Sequence, residues 1–132
     1  MPLALDDDLR ALLTRPSPCV LTTLLPGGAP HATQVWVDAD GDHVLVNSVE
    51  GHRKVRNVRS DPRVAVTVLD PEELSRYVGV RGRVVDITTA GAVDHIEKLA
   101  HRYTGRPYSW YGGRDQVRVL LRIEADHVVG RF

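Results

Sequence analysis

Only one cysteine, Cys19, occurs in the 132 residues, so no intrachain disulfide can form and nothing points to an oxidising compartment. Its expected place is that of a small buried hydrophobe in a strand. Net charge is lacking too. Seventeen Lys and Arg balance seventeen Asp and Glu, which argues against a histone-like basic protein or an acidic tail. No apolar run approaches the ~20 residues that cross a bilayer, and the opening MPLALDDDLRALL has neither a basic start nor a small-residue cleavage site, so no membrane span and no signal peptide are expected. A cytoplasmic protein follows. The 42% apolar and 26% charged composition argues against disorder, and the length suits one domain, 1–132.

The zero net charge hides a division. Residues 1–50 carry seven acids and two bases, whereas 51–132 carry ten acids and fifteen bases, and a local basic patch collects anions even when the global field is near zero. The patterning predicts a short capped helix over 6–14, with Leu9, Leu12 and Leu13 at helical spacing and Pro16 as its stop. Strands follow at 18–25 and 31–38 around a Pro26-Gly27-Gly28 turn, then at 43–49, 63–69, 76–87 and 117–124, with Val128 and Val129 continuing the last. Helices are expected over 52–60 and over 90–103, the latter with a stripe of Val93, Ile96, Leu99, Ala100 and Tyr103. The acidic turn 38–42 resembles the opening of a calcium loop, but the twelfth position is Val49, so a plain hairpin turn is expected. Six or seven strands without β-α-β alternation imply a mainly β, antiparallel barrel with peripheral helices.

The densest chemistry lies in His52-Arg53-Lys54-Val55-Arg56-Asn57-Val58-Arg59-Ser60-Asp61-Pro62-Arg63, which holds five of the seventeen bases. At about 100° per residue, Arg53, Lys54 and Asn57 share one arc, clear of the Val55 and Val58 stripe. That arc sits at a helix start, where free N–H groups and the macrodipole favour an anion, and guanidinium with ammonium suits a phosphate. A solvated helix face is the alternative. Nucleic acid is disfavoured by the neutral total and the lack of a recognised binding motif. Dinucleotide and Walker phosphate loops are missing, as are the zinc-protease helix, C-x-x-C and nucleophile-elbow motifs. The six histidines are dispersed, so no metal is expected. No catalytic acid–base pair or nucleophile stands out. Tyr103, Tyr108, Trp110 and Tyr111 crowd one Gly-bounded stretch that could line a planar ligand, form an oligomer contact or cover the barrel end. Gln34 beside Trp36 on one strand face is a reasonable wall for a flat heterocycle.

Taken together, C-V-L-T-T-L (19–24), G-x-P-H (28–31), R-K-V-R-N-V-R-S-D-P-R-V (53–64), V-R-G-R-V (80–84) and V-L-L-R-I (119–123) resemble the pyridoxamine 5′-phosphate oxidase-like split β-barrel flavoproteins. Within that group the similarity is to the branch that uses the deazaflavin coenzyme F420. The resemblance implies an FMN-binding-protein-like split barrel, a homodimer with two cofactors at its interface, and phosphate held by Arg53 and Lys54 with help from Asn57. It also implies that Gln34, Val35, Trp36, Asn47 and Ser48 lie near the ring. Tyr77, with Ser75 beside it, stands where related F420 enzymes often have an aromatic pair. The resemblance does not extend to the C-terminal substrate segment of true pyridoxamine phosphate oxidases, so that substrate is not expected. The implied activity is hydride transfer from reduced F420 to a small enone, quinone or tetrapyrrole-like electrophile, a class in which the cofactor carries the hard chemistry and no acid–base pair is needed. The alternatives are an FMN-dependent oxidase or reductase and a non-catalytic carrier of a flavin or tetrapyrrole.

Overall fold

The computed structural model describes residues 2–131, the side chain of Arg131 excepted. In chain order the elements are α1 (Asp7–Leu13), β1 (Cys19–Leu24), β2 (Pro30–Val35), β3 (Val37–Asp40), β4 (His43–Val49), α2 (Arg53–Ser60), β5 (Arg63–Asp70), β6 (Glu73–Thr88), α3 (Ala92–Thr104) and β7 (Arg118–Arg131). Among the described residues no helix is long and apolar enough to cross a membrane. Asp6 caps α1 by accepting from the Leu9 N–H at 2.8 Å, and Leu9, Leu12 and Leu13 bury the helix against the sheet.

The seven antiparallel strands run in the order β2-β1-β5-β6-β7-β4-β3. Its two outermost strands are consecutive in the chain, separated only by Trp36. The single strand expected over 31–38 is therefore bent at Trp36. Its first part pairs with β1, Val35 opposite Cys19, and its second with β4, Val37 opposite Val46. One kinked segment thus curls the sheet into a split β-barrel. β1 and β5 alternate buried and part-buried residues, as strands with one face on a core must. The core they enclose includes Leu21, Val37, Val44, Val46, Val66, Leu121 and Ile123.

β4 is buried on both faces, because α3 lies over its outer side and joins Leu45, Ala92 and Leu120 in a second small cluster. The stripe expected on α3 is shifted. Ala92, His95, Ile96, Leu99 and Ala100 face inward, whereas Val93 is 46% exposed. β6 and β7 are longer than the alternation implied, and β7 runs unbroken through Val128 and Val129. Between Arg81 and Gly82 their register slips by one, leaving Asp126 as the extra residue. Only glycine fits at 82, since a Cβ would overlap the backbone carbonyl of Glu124.

Candidate functional site

The outer side of β4 and the first turn of β7 meet the end of β2, the start of α2, the middle of α3 and the aromatic loop. Between them lies a cleft of about 430 Å³. Gly51 has φ +93°, a left-handed conformation that lets the chain leave β4 and reverse into α2 within a few residues. The reversal brings His52 and Lys54 beside Asn47 and Ser48. Gln34, Val35 and Trp36 wall the cleft from β2, and Ile96, Tyr108, Tyr111 and Arg118 complete it.

Charge decides what this cleft favours. Lys54 and Arg118 line it together with the imidazole of His52, and among the described residues no acidic side chain does. Burial lowers the Lys54 pKa, and the nearby Arg118 lowers it further. Burial likewise depresses Arg118, partly opposed by Tyr108. His52 is lowered by desolvation, then by Lys54 and Arg118. Each group is thus less easily charged than in water because its neighbours are cations and its solvent is reduced. An oxyanion placed among them would offset that repulsion and favour their charged forms. The first-turn N–H groups of α2 add a partial positive charge at the same end. The Ser48 hydroxyl is buried without a hydrogen-bond partner, on the face of β4 that it shares with Val119 of the core. A second depression of about 470 Å³ includes Arg63, Arg81, Asp126 and His127. There Arg63 is already held by Asp61 at 2.7 Å, and Asp126 opposes an anion.

Behind the cleft runs a continuous line of polar contacts under α3. Asp38 accepts from Arg102 at 2.9 Å and from Lys98 at 3.1 Å, and its Oδ2 lies 3.0 Å from His95 Nε2. Burial raises the Asp38 carboxyl, but hydrogen bonds from His95, the Ala39 backbone, Lys98 and Arg102 outweigh it and hold the pKa well below the usual carboxylate range. The Asn47 amide nitrogen donates to the Ala92 carbonyl at 2.8 Å and lies 3.2 Å from His95 Nδ1. His95 Nδ1 therefore accepts, and the ring hydrogen sits on Nε2 facing Asp38. The Asn47 carbonyl oxygen in turn accepts from Arg118 Nε at 2.8 Å.

The aromatic residues form two groups. Trp36 stacks on Tyr103 with centroids 5.3 Å apart and planes 12° apart, and the Tyr103 hydroxyl bridges the strands by donating to the Ser17 carbonyl and accepting from the Val37 N–H. Burial, the largest influence, helps push that phenol up to about 12. Tyr108 packs edge-on against both Trp110 and Tyr111, accepts from Arg118 at 3.1 Å through its hydroxyl, and offers its ring to the same guanidinium. Trp36, Tyr108, Tyr111, Val35 and Ile96 give the cleft flat and apolar surfaces, which fit a planar ring as well as the cations fit a phosphate.

Of the residues singled out in the sequence, Gln34, Val35, Trp36, Asn47, Ser48 and Lys54 line this one cleft. Arg53, Asn57 and Tyr77 are not among its lining residues. Asn57 is 1% exposed and donates to Thr23 Oγ1 at 3.0 Å, because α2 lays that side of its turn on β1. Arg53 has its Nε buried without a partner. Tyr77 lies on β6 opposite Leu69 and is half exposed. Arg118, His52 and Ile96 join the cleft although no sequence motif marks them for it. Arg118 reads in the sequence as an outward residue of an alternating strand, and its face becomes a cleft only because α3 and the aromatic loop cover it. Among the described residues no cluster of three metal-ligating side chains is found.

A curled antiparallel barrel whose cleft joins acid-free cations to flat apolar walls defines the class: split β-barrel proteins of the flavin-binding type. The chain belongs to the pyridoxamine 5′-phosphate oxidase family, whose family model matches residues 5–131. A solved F420 reductase superposes with a TM-score of 0.81 at 29% identity, covering 95% of this chain and 98% of that one. The conserved hypothetical protein Rv2991 of Mycobacterium tuberculosis gives 0.73 at 21% identity, covering 98% and 86%. The General Stress Protein 26 of Bacillus anthracis gives 0.67 at 18%, covering 92% and 88%. The last two show likeness of fold alone.

Proposed function

We propose that the protein binds the phosphorylated deazaflavin coenzyme F420 in this cleft and transfers a hydride between the reduced cofactor and a small electrophile of the enone, quinone or tetrapyrrole type. The observation that carries the reading is the acid-free set of Lys54, Arg118 and His52 beside flat apolar walls. The similarity to an F420 reductase supports it. The chemistry the bound cofactor supplies is hydride donation at C5 of its ring. Lys54 and Arg118 would hold the phosphate, aided by the α2 N-terminus. Trp36, Val35 and Tyr108 would orient the ring and exclude water. Sequence motif places Arg53 beside Lys54, so Arg53 would add charge from the flank.

A panel of F420, FMN and FAD read by fluorescence quenching tests the proposal. The expected result is a colourless preparation that takes up F420 at low micromolar concentration or better and reduces an enone or quinone. A yellow preparation carrying flavin absorbance, with FMN bound in preference to F420, would replace F420 by FMN. Tight uptake without turnover over a range of electrophiles would make the protein a carrier.

The proposal includes a homodimer. Tyr77 and Val129, 49% and 44% exposed, lie on one outer face of β6 and β7. Such a cluster is better covered than solvated. Sedimentation velocity should show twice the 14.6 kDa chain mass; a monomer at micromolar concentration would remove this part of the reading.

A further inference from the structure

The geometry points to Arg118 as an oxyanion receptor of the cleft, with Asp38, His95 and Asn47 as a hydrogen-bonded strut that positions it. The inference deepens the cofactor reading above and rests on it for the identity of the ligand, but not for the chemistry of the site.

A guanidinium has five N–H donors. In Arg118, Nε is taken by Asn47 and one hydrogen of Nη1 by Tyr108, so the remaining Nη1 hydrogen and both on Nη2 are left. They are donors that a phosphate or carboxylate can accept. The residue is only 8% exposed, and its partners among the described residues are both neutral. A cation so placed, with its charge unbalanced and its fork open to a cleft, is incomplete without an anion. Lys54 shares the cleft and supplies a second charge.

The strut explains why the fork is held in one orientation. Asp38 is 1% exposed and anchored by Lys98 and Arg102, which fixes the His95 ring. The ring's accepting Nδ1 sets the Asn47 amide, and the amide's opposite end receives Arg118 Nε. Four elements, β3, α3, β4 and β7, thus meet in one line that ends on the guanidinium. A bond supplied by a neutral amide steers Arg118 without cancelling its charge. A carboxylate in the place of Asn47 would accept from Nε but neutralise the guanidinium, and it would have no N–H for His95 or the Ala92 carbonyl.

Thermal melting of the intact protein with inorganic pyrophosphate reads the site without a cofactor. Wild type should melt higher as pyrophosphate is added, and Arg118→Met should lose about tenfold in apparent pyrophosphate affinity. His95→Phe should lose about fivefold. His95→Gln should recover most of it, because one amide presents an acceptor to Asn47 and a donor to Asp38 as the imidazole does. A full pyrophosphate response in Arg118→Met would overturn the receptor, and equal responses in the two His95 variants would overturn the strut. Wild type alone also decides the first point by NMR: the Arg118 Nε–H resonance should shift on pyrophosphate titration, and an unmoved resonance refutes the assignment even where a variant does not fold. Pyrophosphate protection without F420 or FMN uptake would keep Arg118 and sink the cofactor reading. Undiminished F420 binding by Arg118→Met, with no pyrophosphate effect in wild type, would do the reverse.

Discussion

Asp38→Ala is expected to destabilise the protein by about 3 kcal/mol, the lower end of the range for removing one partner of a buried ionic cluster. The lower end applies because Lys98, 58% exposed, returns to water, whereas Arg102 at 16% and His95 at 8% are left with less access to it. For a domain of this size the melting temperature should fall by roughly 10 °C. Chemical denaturation of the two proteins measures it, and a loss under 1 kcal/mol would show that the cluster contributes little. The pH dependence has a definite sign. The folded pKa of Asp38 lies below the unfolded value of ~3.9, so its contribution is complete above about pH 4 and is lost as pH falls toward the folded value. Wild type should therefore lose stability on acidification more steeply than Asp38→Asn.

Lys54→Ala should weaken cofactor binding about 10- to 100-fold, the equivalent of losing one charge-assisted contact of roughly 1.5–3 kcal/mol. Unliganded stability should hold or rise, because the substitution removes a part-buried cation and its repulsion with Arg118. The opposite responses of affinity and stability separate a binding role from a structural one. Unchanged affinity would refute the assignment of this cleft. The pKa values of His52, Lys54 and Arg118 are all lowered by folding, so the unfolded chain binds protons more readily. Through these groups, the unliganded fold gains stability as pH rises from the imidazole range upward. A bound anion should flatten that slope.

Much of this was legible in the sequence, for physical reasons that also explain the failures. Alternating valines over 63–69 and leucines at helical spacing over 9–13 report burial directly, so β5 and α1 fell within a residue or two of their places. Val35 and Val37 alternate as though in one strand, and nothing local reveals that the chain bends between them at Trp36. That bend is imposed because the two valines pair with different strands, β1 and β4, which the sheet order holds apart through β5, β6 and β7. Val93 fits a helical stripe as well as His95 does, yet His95 is the buried one because Asn47 and Asp38 satisfy its ring. Asn57 shares an arc with Arg53 and Lys54 on a regular wheel, but a short amide that reaches Thr23 can be buried where a charged chain cannot. Lys54 was found because the basic cluster is local. Arg118 was missed because its three companions come from three other elements.

The bend at Trp36 also has a consequence for the order of events in folding. β1 with β2 and β3 with β4 are neighbours in sequence and can pair early. Beyond the chain itself at Trp36, the sheet is closed by β7, which pairs with β4 on one side and β6 on the other. Such sequence-distant pairings are slow to form, and until they do, β4 and β6 each present an unpaired edge open to aggregation. Arg118 is the first residue of that closing strand, so the anion site is completed by the step that seals the barrel. A ligand that needs Arg118 would then recognise only finished molecules and draw the folding equilibrium toward them, making the cofactor supply a determinant of how much of the newly made chain survives.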